Sequence, residues 1–275
     1  MRKLEQPLLF MAFGLIAGCD RGDLEALREV AETARSTATS ATSPLTTSPA
    51  PPPRRVEAPP RPKKFREAKE RLRDLYRAQP STTLYSNCPL NRLDVDWARC
   101  CMREADARRP AVEWEHVVPA ATFGGSLPEW REGHPRCAKK GRPFRGRKCA
   151  RRASKRFEAM EGDMHNLFPE LGDVNGARGD TPIGAFEGPS TRHQELASCG
   201  LRFGRSVVEP RDAVHGDVAR AYLYMNAAYP DAVPLDEASR ATFERWHVAD
   251  PPDALERLRN RVILEEQGNG NPWIE

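Results

Sequence analysis

A single α+β domain, mostly helical, is predicted for roughly the last two hundred residues of this 275-residue chain. Three observations predict it. Four segments repeat apolar residues at helical spacing, only two short runs, around 112–118 and 201–208, read as strands, and the composition changes abruptly near Lys64. Upstream of that point Ser, Thr, Ala and Pro dominate, a mixture that cannot bury a core.

The chain opens on Met1-Arg2-Lys3, followed by an apolar stretch from Pro7 to Gly18 that is short for a membrane span. Ile16-Ala17-Gly18-Cys19 has the form of a lipoprotein processing site, so residues 1–19 read as a signal peptide ending at an acylated Cys19. The expected location is outside the cytoplasm, periplasmic or at the cell surface through a lipid anchor. The alternative is an ordinary signal peptide and a secreted chain. Residues 20–63 read as a tether, with a short helix over 20–35 where Leu24, Leu27 and Val30 recur, and Pro51-Pro52-Pro53 and Pro59-Pro60 further on.

The globular part, 64–275, begins with an amphipathic helix marked by Phe65, Ala68, Leu72, Leu75 and Tyr76 and stopped before Pro80. A second helix is predicted from about Asp217 to Tyr229, where the Tyr222-Leu223-Tyr224-Met225 cluster reads as core packing. Two more follow over 235–248 and 253–267.

Within this frame, Glu115-His116 in the run Val112-Glu113-Trp114-Glu115-His116-Val117-Val118-Pro119 sets a hard oxygen ligand beside an imidazole. Adjacent strand residues point to opposite faces, so a bend would be needed to aim both at one substrate. Alone the pair is unremarkable. A second polar cluster, Glu161 to Leu167 and on to Val174-Asn175-Gly176, gives it weight. Hydrolysis of a phosphodiester needs a base that is neutral at working pH and a cation to offset developing charge, and imidazole plus carboxylate and amide oxygens supply both.

Charge distribution points the same way. The formal net charge is only +4, yet no acidic residue lies between Gly133 and Phe157, a stretch that holds eleven Lys and Arg. Such a surface would follow phosphates without reading bases, giving salt-dependent, sequence-blind binding. No Gly-x-Ser-x-Gly elbow and no second His at zincin spacing is present, and the paired Cys-x-x-Cys of zinc ribbons is absent.

The sequence resembles the bacterial endonuclease I family of ββα-metal, or His-Me finger, nucleases. The matching stretches are Glu113 to Ala120, Gly146-Arg147-Lys148, Met160 to Leu167, Gly172 to Gly176, Ala219 to Met225 and Gln267 to Pro272, in the family's order. The resemblance implies a ββα-metal motif within the helical body and a largely sequence-non-specific endonuclease acting on DNA, with RNA left open. It makes His116 the general base and Glu115 and Asn175 the ligands of one divalent metal ion, Mg²⁺ foremost and Mn²⁺ or Ca²⁺ as alternatives. It gives Arg147 the scissile phosphate, and Glu161 a place near His116, orienting the imidazole or a water. His165 and Asn166 read as scaffold, and the molecule as a monomer.

Without Cys19 six cysteines remain, for which fifteen pairings exist. The family's cysteine-bounded loop implies Cys137 with Cys149; Cys88 then pairs with Cys100 or Cys101, and Cys199 with the other. This chain departs from the family at Ala177, where an acidic residue is usual, and in lacking a cysteine near Cys88 and one at the C-terminus. The competing class is a non-catalytic nucleic-acid-binding or DNA-uptake lipoprotein, against which the intact set Glu115, His116, Arg147, Glu161 and Asn175 argues.

Overall fold

The computed structural model describes residues 56–274. The signal segment with Cys19, the helix expected over 20–35 and nearly all of the tether lie outside the described residues. Helix α1, Phe65–Ala78, buries Ala68, Leu72, Leu75 and Tyr76, the stripe that its periodicity predicts. Its first turn is closed by the Glu67 carboxylate, which accepts from the Lys64 backbone N–H at 3.2 Å.

The next segment forms a small antiparallel sheet of β1 (Ser81–Thr82), β2 (Pro89–Asn91) and β3 (Asp94–Val95). Strand β4, Val112–His116, pairs antiparallel with a strand far along the chain, β7, Leu167–Leu171, in the register Val112 opposite Leu171 through His116 opposite Leu167. Between them come α2 (Ala120–Gly124), α3 (Pro128–Arg131), a hairpin of β5 (Ala138–Lys139) and β6 (Arg142–Pro143), α4 (Arg147–Ala153) and α5 (Lys155–Glu161). Helix α6, Gly172–Arg178, follows β7 directly. Two antiparallel strands and a helix thus form one unit, with the basic segment inserted between the strands.

A hairpin of β8 (Arg202–Phe203) and β9 (Val208–Glu209) leads to three long helices: α7 (His215–Ala228), α8 (Glu237–Ala249) and α9 (Ala254–Gln267). Helix α7 runs through the core, burying Val218, Tyr222, Leu223, Tyr224 and Met225, so its tyrosines pack inside as expected. Asp236 and Asp253 cap α8 and α9, accepting from Ser239 N and Glu256 N at 2.7 Å each, and Gly268 ends α9 with φ of 89°.

Helix and strand are mixed, at about 48% helix among the described residues, the four predicted long helices being joined by short ones over 120–178. The stretches 79–111 and 179–214 hold only strands of two or three residues and 3₁₀ turns. Disulfides Cys88–Cys100 and Cys101–Cys199 tie these stretches together, doing work that a helix interface does elsewhere. The third, Cys137–Cys149, staples the basic segment.

Candidate active site

Alternation along β4 sends its side chains to two different neighbours. Glu113 and Glu115 face α6: Asn175 Nδ2 donates to Glu113 Oε2 at 2.8 Å, and Arg178 Nη1 lies 3.0 Å from Glu115 Oε1. Trp114 and His116 face α1, where Trp114 meets the Tyr76 ring edge-on at 5.7 Å and His116 meets the Phe65 ring at 4.9 Å. The strand ends at His116, and a cavity of about 320 Å³ lies across that end, lined by Glu115, His116, Arg147, Asn175 and Arg178. Both faces open onto it at the terminus, so no bend is required.

His116 is buried, and its Nε2 lies 2.9 Å from the Glu161 carbonyl oxygen. A carbonyl only accepts, so Nε2 carries the proton and Nδ1 keeps its lone pair. That nitrogen faces Arg147, whose Nη2 stands 3.4 Å away. Burial and then the Arg147 charge push the imidazole down to about 3, keeping it neutral across the physiological range.

Glu161 holds His116 through its backbone, while its carboxylate serves the arginines. Arg147 Nε donates to Oε1 at 2.7 Å, and Arg151 donates to Oε2 from Nε at 2.6 Å and to Oε1 from Nη2 at 2.5 Å. Burial raises this carboxyl, but Arg151 and Arg147 more than offset it and hold it below its ordinary range. Arg147 and Arg151 are four residues apart, about one helical turn, so both reach the same buried anion from α4. Next to Glu161, Gly162 lets the chain leading into α1 pass close, since an added Cβ would stand 1.9 Å from the Lys63 carbonyl oxygen.

Glu115 is buried with Oε1 taken by the Tyr85 hydroxyl at 3.1 Å and by Arg178. Burial raises its carboxyl, opposed by Arg178 and Tyr85. Arg178 is itself buried and donates to the His116 and Val117 carbonyls, fixing the strand end. Because Glu113 only accepts, the Asn175 amide must present its nitrogen there, which leaves Oδ1 as the atom for the pocket it lines. A carboxylate and an amide oxygen beside one cavity are a donor set of the hard kind that Mg²⁺ or Ca²⁺ takes, so the residues present fit a divalent cation.

Four of the five predicted residues therefore line one pocket, and Glu161 stands behind it. Asn166 clasps the Val118 backbone from both sides at 2.7 and 2.9 Å, and His165 Nε2 lies 3.1 Å from the Asn269 carbonyl. Sequence reasoning missed Glu113, Arg151, Arg178 and Tyr85. The two-residue spacing of Glu113 and Glu115, and Arg178 three residues after Asn175, were available signals; nothing local marks Tyr85. A larger recess of about 700 Å³ across α6, lined by Arg108, Arg109 and Asp173 among others, contains none of the five.

Comparison with known proteins fixes the class: the protein is a nucleic-acid hydrolase. More particularly, the chain belongs to the Endonuclease I family, whose model matches residues 63–275. It is 38% identical over 218 residues to a periplasmic deoxyribonuclease of Aeromonas hydrophila, covering 77% of this chain and 85% of that one. An extracellular deoxyribonuclease of the same organism is 37% identical, with 77% and 87% covered. An extracellular ribonuclease of Bacillus subtilis (strain 168) is 33% identical over 41% of this chain and 43% of its own.

Proposed function

We propose that this protein is an exported, divalent-metal-dependent and largely sequence-non-specific endonuclease acting on DNA. β4, β7 and α6 serve as a ββα-metal motif, with Glu115 and Asn175 holding the ion. One observation carries the reading: the Glu161 carbonyl fixes the Nε2–H tautomer of a buried, neutral His116 and leaves Nδ1 facing Arg147 in a pocket with two oxygen ligands.

His116 Nδ1 accepts the proton of the attacking water. Arg147, pinned through Nε by Glu161, offers the rest of its guanidinium to the scissile phosphate. Engaging that phosphate draws the guanidinium off Nδ1 and offsets the charge that depresses the imidazole, so the base strengthens when substrate arrives. When bound, the metal ion supplies charge stabilisation at the phosphate and the leaving oxygen.

Relatives named as periplasmic and extracellular nucleases, together with three disulfides, support export, and the form of the leader supports a lipid anchor at Cys19. RNA is a second substrate in this reading, supported by the relative named a ribonuclease. The test is incubation of the purified protein with plasmid DNA, with and without EDTA, alongside His116→Ala. Metal-dependent degradation lost in the variant supports the nuclease, whereas binding without cleavage overturns it in favour of a receptor.

A further inference from the structure

Helix α1 carries basic residues of two kinds, paired and unpaired. Arg66 is paired with Glu70 at 3.2 Å and Arg71 with Glu266 at 3.3 Å. Lys69, Arg73 and Arg77 form no ion pair among the described residues, and they recur every fourth position after Phe65. Residues at this spacing make one ridge along a helix, each about 6 Å of axis from the next.

The ridge starts at the active site. Phe65 packs against His116, the Lys69 ammonium lies 4.4 Å from the Phe65 ring centroid, and Arg147 and Arg151 approach the same ring at 5.7 and 5.8 Å. Burial and then the charges of Arg73, Arg151 and Arg147 lower the Lys69 ammonium, partly offset by Glu161, so these cations are crowded without enough carboxylate. At its far end the ridge opens on a second cavity of about 530 Å³, which Arg73, Arg77, Trp97 and Trp114 help to line, with Asp94 and Glu104 also in its lining but in no ion pair with either arginine. Cations free of ion pairs at regular spacing, running from a phosphate-cleaving centre to a recess with aromatic side chains, are complementary to a polyanionic chain that carries flat bases.

We propose that the Lys69–Arg73–Arg77 ridge of α1 is an accessory nucleic-acid subsite. It holds the phosphates of the strand beyond the scissile bond and delivers an unpaired base to the recess at Trp97. The subsite rests on the nuclease reading for its substrate class, and it is separate from the stapled basic segment that supplies Arg147. An unpaired base is available in a single strand and costly to extract from a duplex, so single strands gain more from it.

Fluorescence anisotropy of a labelled fifteen-nucleotide single strand, with the full chain in EDTA across a salt series, tests the ridge without relying on cleavage. The double variant Arg73→Gln/Arg77→Gln is expected to bind about tenfold more weakly near ~0.1 M salt, with a salt slope shallower by roughly 1.4, from about 0.7 per phosphate contact. Arg66→Gln/Arg71→Gln removes the same charge from the two ion-paired positions of the same helix and is expected to leave the slope in place. Equal weakening by both double variants, or by neither, overturns the ridge. Trp97→Ala is expected to cost about tenfold on the single strand and less on a duplex of equal length; equal losses overturn the recess. Arg77→Gln, an exposed position, repeats the slope measurement should the double variant melt early. Absence of plasmid cleavage by the wild type with metal would overturn the nuclease reading, while the anisotropy series would still decide the ridge.

Discussion

On one face of β4, Glu113 and Glu115 turn to α6 and meet an amide and a buried guanidinium; on the other, Trp114 and His116 turn to α1 and meet aromatic rings. The first face is polar and ionic and suits a cation. The second is apolar, strips water from an imidazole and keeps it neutral. The contrast teaches how a strand of five residues gives adjacent side chains the surroundings that the proposed ligand and base each need: each draws its environment from a different helix, and the two meet only at the strand's end.

The sharpest way to break this division is His116→Ala. Loss of a general base is expected to lower kcat on DNA by about 10²–10⁴-fold, while calorimetric titration with Mn²⁺ shows metal affinity close to wild type. A parallel loss of metal binding would mean that the two faces are not independent. Glu115→Ala attacks the other face and leaves Arg178 buried without its carboxylate. The expected cost is about 3–5 kcal/mol of stability in urea denaturation, along with weakened metal binding. A variant as stable as wild type would show that the pair does not hold the strand end.

Acid should expose the apolar side. His116 and His165 are both pushed down to about 3 by burial, against an ordinary 6.5, so each favours the fold fully above 6.5 and loses that contribution as pH falls towards 3. Between 6.5 and about 3, stability is expected to drop by about 1.4 kcal/mol per pH unit for each of them. His165→Gln should make the decline in denaturation midpoint shallower between pH 6 and 4; an unchanged decline would place the acid sensitivity elsewhere. The smallest expected effect is at Glu113. Glu113→Ala frees the Asn175 amide to turn, weakening metal affinity by about 10–100-fold with little change in melting temperature, and Glu113→Gln, which keeps an acceptor, should restore much of it.

Much of this was legible in the sequence. The helices over 65–78, 215–228, 237–249 and 254–267 match the predicted ones within a few residues, because apolar spacing and Asp caps are local signals. The five site residues were marked by motif, and the structure gathers them within one neighbourhood. Partnerships were not legible. Glu161 reads as a carboxylate near the imidazole, yet its carbonyl meets His116 and its carboxylate meets Arg147 and Arg151. Tyr85 reaches Glu115 across thirty residues of sequence with nothing local to announce the contact, and the choice between Cys100 and Cys101 as the partner of Cys199, open in the sequence, falls to Cys101 across 98 residues.

By itself, then, the sequence determined which groups the chain brings to the site: an imidazole, a carboxylate and an amide, a cationic segment free of acid, and the periodicity that makes α1 amphipathic. Only the tertiary structure decided the protonation geometry of His116, the orientation of Asn175 and the continuity of the α1 ridge with the pocket. Residue type and spacing fix what a segment can do, since they act over a turn or a strand. Tautomer, amide orientation and charge crowding depend on atoms brought within a few ångströms from distant parts of the chain, and folding alone sets those distances.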